Sequence, residues 1–173
     1  EDDIINSVYF LDYMNMALDK YSNVESVKQI SGHQFPVSGM KPKNSCFFLP
    51  FTTSWGWGTW KRAWDQFEIN PKDYSILKTN SKKNEEFNLG KKNYFTQMMI
   101  NQLETKTIDS WAILWYWSVF RVNGFVLFPD KTLVSNIGFD KDGTHTKESS
   151  FAISEFNLEY KIKEFPKDVV IDN

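Results

Sequence analysis

Cysteine is nearly missing from this 173-residue chain. The single thiol, Cys46, excludes an internal disulfide framework and any cysteine-based zinc cluster, and is compatible with a reducing compartment. Histidine is almost as scarce: His33 and His145 are the only two, so a Ser-His or Cys-His nucleophilic triad has little material to draw on. No glycine-rich phosphate loop and no dinucleotide-binding fingerprint is present. No apolar run approaches the ~18–20 residues that a membrane-spanning helix requires. Excess charge of one sign is missing too. Lys and Arg total 20 against 22 Asp and Glu, a net charge of -2. The pI of about 5.7 argues against nucleic acid as a partner, which calls for basic charge gathered on one face. No internal repeat or low-complexity tract interrupts the sequence, and the length suits about one domain of ~100–200 residues.

What the chain has in plenty is aromatic surface. Phe, Trp and Tyr make up 17% of it, and all seven tryptophans fall between Trp55 and Trp117. Trp offers a large rigid face and one N–H donor, which suits contact with a sugar ring; it equally suits a tryptophan-rich core. Both readings stay open at this point. The other unusual feature is the start, Glu1-Asp2-Asp3 with no methionine, which reads as a processed or excised piece.

Periodicity predicts a mixed α/β domain. Ile4 to Tyr21 reads as an amphipathic helix with Val8, Leu11, Met14 and Leu18 on one stripe and Asn6 or Ser7 as its N-cap. Asn23 to Ser31 reads as a strand ended by Gly32. The stretch from His33 to Ser45, with its two prolines, reads as a loop, and Cys46 to Leu49 as a short strand stopped by Pro50. In Ser54-Trp55-Gly56-Trp57-Gly58-Thr59-Trp60 the glycines break regular structure and permit close backbone approach. Thr59 is placed to cap a helix reaching about Phe67, with Trp60 and Trp64 on one face. Asn70-Pro71 stops that helix and starts another. Residues 78–93, polar and lysine-rich, read as an exposed connection, and Tyr94 to Leu103 as helical. Asp109 to Val122 is the strongest helix, with Trp111, Trp115, Val119 and Val122 along one stripe and Asn123-Gly124 closing it. Phe125–Phe128 and Leu133–Ile137 read as strands, residues 138–150 as a polar loop, and the tail from Phe151 as weakly alternating.

Several residues invite a chemical reading beside a plainer one. Consecutive carboxylates at Glu1, Asp2 and Asp3 suit a hard cation such as Mn2+ or Mg2+, and equally suit a solvated chain end before a helix. Asp109 stands where an N-cap is expected; a carboxylate walled by Trp111 could instead take a proton from a hydroxyl nucleophile. His145 lies in a glycine-containing run from Gly138 with Asp and Lys neighbours, fit either for plain exposure or for closing over a phosphate-bearing ligand. His33 reads as a hydrogen-bonded loop residue.

Taken in order, these segments resemble a known family. The acidic trio, the Ser31-Gly32-His33-Gln34-Phe35 loop, the Ser54–Trp60 block, Ile108-Asp109-Ser110-Trp111 and Val134–Asp140 with Gly143-Thr144-His145 look like bacterial sugar-nucleotide glycosyltransferases of surface-polysaccharide synthesis. More distantly they are similar to the Golgi N-acetylglucosaminyltransferase that starts complex N-glycans. The resemblance covers about residues 1–146. The Ser-Trp-Gly-Trp block followed at a distance by Asp-Ser-Trp is its most specific part.

That resemblance implies a glycosyltransferase A-type α/β fold, a mixed sheet with flanking helices, with residues 1–150 as its acceptor-side portion and 151–173 as a C-terminal extension. It implies a nucleotide-sugar donor, UDP-linked, and a glycan or lipid-linked acceptor. By position, Asp3 would bind the divalent ion, with Asp2 and Glu1 near sugar and ribose. Trp55 and Trp57 would line a sugar pocket, Gly138 to His145 would form a lid over the diphosphate, and Asp109 would act as the base of an inverting single displacement. In this fold a nucleotide-binding half precedes the acidic motif, whereas this sequence begins at the motif, so the chain alone is expected to be inactive. The family works in the cytoplasm, peripheral to the inner membrane. Two other readings remain: a non-catalytic carbohydrate-binding module, or a structural fragment. The fragment would expose apolar surface at residues 24–31 or 46–50, or cover it by homo-oligomerisation.

Overall fold

The computed structural model describes residues 3–35, 44–137 and 156–171. Glu1, Asp2, Gly138 and His145 lie outside these, as do the rest of the stretch 138–150 expected as a loop and residues 151–155 of the tail. Among the described residues no helix is long and apolar enough to cross a membrane.

The architecture is mixed α/β, with two sheets flanked by helices. The smaller is an antiparallel ribbon of β1 (Ile4–Asn6) and β6 (Val134–Asn136), Ile4 opposite Asn136 and Asn6 opposite Val134. The larger has the order β3-β5-β2-β4, built from β2 (Val27–Ser31), β3 (Cys46–Leu49), β4 (Trp57–Gly58) and β5 (Phe125–Pro129). β2 and β5 run parallel, while β3 and β4 are antiparallel to their neighbours.

Strand alternation sorts the side chains into two cores. Cys46, Phe48 and Leu127 face a cluster with Tyr13, Ala17 and Tyr21, whereas Phe47, Val126 and Phe128 face Trp115 and Val119. Val27 and Ile30 share the first face although three residues apart. The irregularity between Val27 and Gln29 resets the alternation there and turns Gln29 to the other side.

Helix α1 (Phe10–Lys20) begins later than its periodicity predicts, because Ile4 to Asn6 pair with β6 instead. Its buried face is also different. Tyr13, Met14 and Ala17 are buried, while Val8 and Leu11 are exposed. Tyr13 outcompetes the aliphatic stripe: its hydroxyl donates to Ser31 O at 2.8 Å, and its ring stacks on Phe165 at 5.9 Å. Helix α2 (Lys61–Trp64) is a single turn with Trp60 at its N-cap, and Thr59 does not cap it. The Thr59 hydroxyl donates instead to Lys28 O at 2.6 Å.

The polar stretch 78–93 is mostly exposed, as expected, but it is helical rather than a plain connection. After α3 (Ile76–Thr79) it forms α4 (Ser81–Phe87), capped by the Asn80 side chain, which accepts from Lys83 N at 3.0 Å. One apolar residue anchors it: Phe87 is fully buried and stacks on Tyr116 at 4.6 Å. Buried Asn88 then accepts from the Phe95 and Thr96 amides, closing the start of α5 (Tyr94–Ile100).

Helix α6 (Trp111–Phe120) is buried continuously from Ile113 to Val119, so it is apolar all round rather than striped; Trp111 and Val122 at the two ends of the expected stripe are exposed. It stands between the large sheet and the helical layer of α3 to α5, with Trp115 and Val119 on one side and Leu114, Tyr116 and Trp117 on the other. Asn123 (φ 51°) takes the left-handed position after the helix, and Gly124 N returns to Val119 O at 2.9 Å.

The described part of the tail, 156–171, carries no strand of its own. It straps the α1 side of the sheet through side-chain bonds: Tyr160 Oη donates to Asp130 at 2.6 Å, and Tyr21 Oη to Pro166 O at 2.7 Å. Within 24–31 and 46–50, residues 27–31 and 46–48 are buried, Val24, Leu49 and Pro50 half-buried, and only Glu25 and Ser26 exposed, so the large apolar face expected of a structural fragment is not found there.

Candidate functional site

A cleft of about 380 Å³ opens where four segments meet. They are the residues after β2, the stretch from Phe51 to Trp55, one face of α5 and the first turns of α6. Its walls are aromatic, and its polar contributions come from His33 and from Thr52, Thr53 and Ser54. Rigid flat faces with a few hydroxyl groups between them suit a ligand that is apolar on its faces and polar on its edges, as a pyranose is.

Glycine makes the junction behind the cleft possible. Gly32 N donates to Gly56 O at 2.7 Å, and a Cβ on Gly32 would stand 2.8 Å from that oxygen and 2.5 Å from the Phe10 ring. Gly56 is left-handed (φ 54°), and a Cβ there would meet Val134 at 2.6 Å. Trp55 and Trp57, either side of Gly56, are thereby turned in different directions. Trp55 lines the cleft, its ring 4.6 Å from that of His33. Trp57 packs among the neighbouring tryptophans: it stacks on Trp111 at 5.5 Å and 27°, and lies 6.1 Å from both Trp64 and Trp115. Trp111 itself lines the cleft, so Trp57 supports the wall from behind.

Asp109 is exposed and stands two residues before Trp111. It is not the N-cap of α6; that position is Ser110, whose side chain makes no capping bond. The Ser110 amide donates to Gln102 Oε1 at 2.6 Å, tying the approach to a wide π-turn at Asn101–Thr105. Left-handed Lys106 (φ 52°) reverses the chain after that turn. Asp109 is thus free of the cap role that composition suggests, and it does not itself line the cleft; Trp111, two residues on, does.

Asp3 is exposed at the outer end of the β1–β6 ribbon, its carbonyl accepting from Ile137 N at 2.8 Å. The ribbon's inner end is fixed to the site: Leu133 N donates to Gly32 O at 2.8 Å, and Val134 packs on Gly56. Val134, which packs on Gly56, and Ile137, which bonds Asp3, are three residues apart along the chain, about 10 Å at ~3.3 Å each. Among the described residues no three His, Cys, Asp or Glu side chains gather as a metal-binding group. An exposed Asp3 alone suits a cation of the Mg2+ type, which takes one or two carboxylates and completes its shell with phosphate oxygens and water.

His33, read from sequence as a loop residue, lies in this site. It is 3% exposed, and burial pushes its imidazole down to about 4 from the usual 6.5. The Ser31 hydroxyl binds its backbone at both ends, accepting from His33 N at 3.1 Å and donating to His33 O at 2.9 Å. Tyr94, Phe95 and Met98 of α5 also line the cleft. Nothing in their local sequence sets them apart from core residues, because the wall forms only when α5 packs beside α6.

No protein-family model, curated protein sequence or solved structure matches this chain.

Proposed function

We propose that this chain is the acceptor-side portion of a glycosyltransferase of the A-type fold, moving a sugar from a nucleotide-sugar donor, UDP-linked, to a glycan or lipid-linked acceptor. The observation that carries the reading is the aromatic cleft lined by Trp55 and Trp111, with exposed Asp109 two residues before Trp111 in the chain. The four-stranded mixed sheet and the ribbon that sets Asp3 beside Ile137 support the same reading.

In this mechanism Trp55 and Trp111 hold the faces of a sugar ring, and Asp109 accepts the proton of the acceptor hydroxyl as its oxygen attacks the anomeric carbon. The bond from that carbon to the diphosphate breaks on the opposite side, so the configuration inverts in one displacement. General-base assistance of this kind contributes ~10²–10⁴ in rate. A bound Mn2+ or Mg2+, held by Asp3, would neutralise charge on the departing diphosphate. Lipid-linked acceptors would place the reaction at the cytoplasmic face of the inner membrane.

A non-catalytic carbohydrate-binding module is the second reading. It is favoured by a cleft wall that is mostly aromatic and needs no carboxylate. Titration of the full-length protein with UDP-sugars, with and without Mn2+, separates the two. Metal-dependent binding that Asp3→Ala abolishes supports the transferase. Binding of free glycans that nucleotide and metal leave unchanged supports the module.

A further inference from the structure

The imidazole of His33 is in a state that its surroundings fix on one side only. Nδ1 lies 3.3 Å from Thr132 Oγ1. That hydroxyl already donates its proton to Val134 O at 2.7 Å, so toward His33 it acts as acceptor, and Nδ1 carries the hydrogen. Burial keeps the ring neutral at physiological pH, which leaves Nε2 with a bare lone pair. Nε2 is buried and, among the described residues, has no hydrogen-bond partner.

The polar groups that could serve it are spent elsewhere. Thr53 Oγ1 pairs with Ser31 Oγ at 2.6 Å, and Gln34 Nε2 donates to Phe35 O at 2.9 Å. With Nδ1 turned toward Thr132, the edge of the ring that bears Nε2 is turned away from it. The rings packed on the imidazole are Phe35 at 4.5 Å and Trp55 at 4.6 Å. Both line the cleft, as His33 does, and both are only partly buried. A buried acceptor left unmade costs ~1–3 kcal/mol, which a donor arriving with a ligand recovers.

We propose that His33 Nε2 is the hydrogen-bond acceptor that fixes one hydroxyl of a sugar bound in the aromatic cleft. Trp55 supplies the face and His33 the edge contact, so the site selects a ring that presents a donor beside its apolar face. The contact discriminates by hydroxyl position, because an analogue lacking that hydroxyl leaves Nε2 unpaired again. His33 binds and orients; it moves no proton. The inference rests on the reading of the cleft as a sugar site.

The test uses the full-length protein labelled with 15N-histidine and titrated with methyl glycosides of glucose, galactose and N-acetylglucosamine. For the glycoside that binds, the set of its monodeoxy analogues is then compared on wild type and His33→Phe. On binding, the His33 Nε2 signal is expected to move from a free acceptor position toward a hydrogen-bonded one, with Nδ1 staying protonated. One deoxy analogue is expected to bind wild type about five- to tenfold more weakly than its parent, and to bind His33→Phe equally to it. An unmoved Nε2 signal at saturation, with no deoxy analogue separating the two proteins, overturns the inference and leaves the sugar cleft standing. Failure of every glycoside to bind wild type overturns both. The nitrogen signal is read on wild type, so the test survives if His33→Phe does not fold.

Discussion

Trp115 Nε1 donates to Gln29 Oε1 at 2.7 Å, joining α6 to β2 across 86 residues of sequence. The other end of the same amide, Gln29 Nε2, donates to Thr53 O at 2.7 Å. One fully buried side chain therefore ties the helix that carries Trp111 to the strand that leads to His33 and to the segment that leads to Trp55. Replacing Gln29 with Leu keeps the volume but strands an indole N–H and a carbonyl in the interior. At ~1–3 kcal/mol for each of the two buried groups left unpaired, Gln29→Leu should lose about 2–6 kcal/mol of stability. Urea unfolding measures this directly. A midpoint equal to wild type would show that water reaches both groups.

Trp57 and Trp55 should respond oppositely to truncation. Trp57 fills space among Trp64, Trp111 and Trp115, so Trp57→Ala opens a cavity in a half-buried cluster. A loss of about 2–3 kcal/mol is expected, below the ~3–5 of a fully buried aromatic. Trp55→Ala should cost less in stability and more in sugar affinity, since its ring faces the cleft. Thermal melts and glycan titration of the two variants together check this; equal effects on both would place the two rings in one environment.

Much of the strand framework is legible in the sequence because short apolar runs bounded by proline or glycine have few alternatives. Cys46–Leu49 agrees at both ends for that reason. Helix faces are less legible. On α1 the aliphatic period through Val8 and Leu11 loses to Tyr13 and Tyr21, whose hydroxyls find distant carbonyls that no local pattern announces. In 78–93 a single buried phenylalanine decides the matter against fifteen mostly polar neighbours. The site divides in the same way. Of the two tryptophans expected at a sugar pocket, Trp55 lines the cleft and Trp57 packs behind it, while Asp109 stands outside the lining, two residues before Trp111. His33, Tyr94 and Met98 join the lining only through the packing of β2, α5 and α6.

His33 gives the protein a defined response to acid. Its folded-state value, about 4, lies below the 6.5 of an unperturbed imidazole. Between those values the unfolded chain binds a proton that the folded one does not, so stability is complete above pH 6.5 and declines as the pH falls toward 4. At 1.36 kcal/mol per unit the full loss is about 3 kcal/mol. His33→Phe removes this dependence, so its unfolding free energy should fall less than that of wild type between pH 7 and pH 4.5. Parallel profiles for the two proteins would mean that the folded state protonates His33 at its ordinary value.

Asp109 provides the sharpest separation of chemistry from architecture. A carboxylate just before a helix is normally ambiguous, because a cap and a base use the same lone pairs. Here Ser110 occupies the cap position, and Asp109 is exposed beyond it. Asp109→Asn keeps size and shape and removes only basicity, so the melting temperature should stay within a degree or two, as expected for a surface change of under ~0.5 kcal/mol. Transfer by the full-length protein should drop ~10²–10⁴-fold while donor binding persists. Loss of rate at constant stability and constant donor affinity leaves proton removal from the acceptor as the step affected. Unchanged turnover takes Asp109 out of the mechanism, and the aromatic cleft would then have to be read as a binding surface alone.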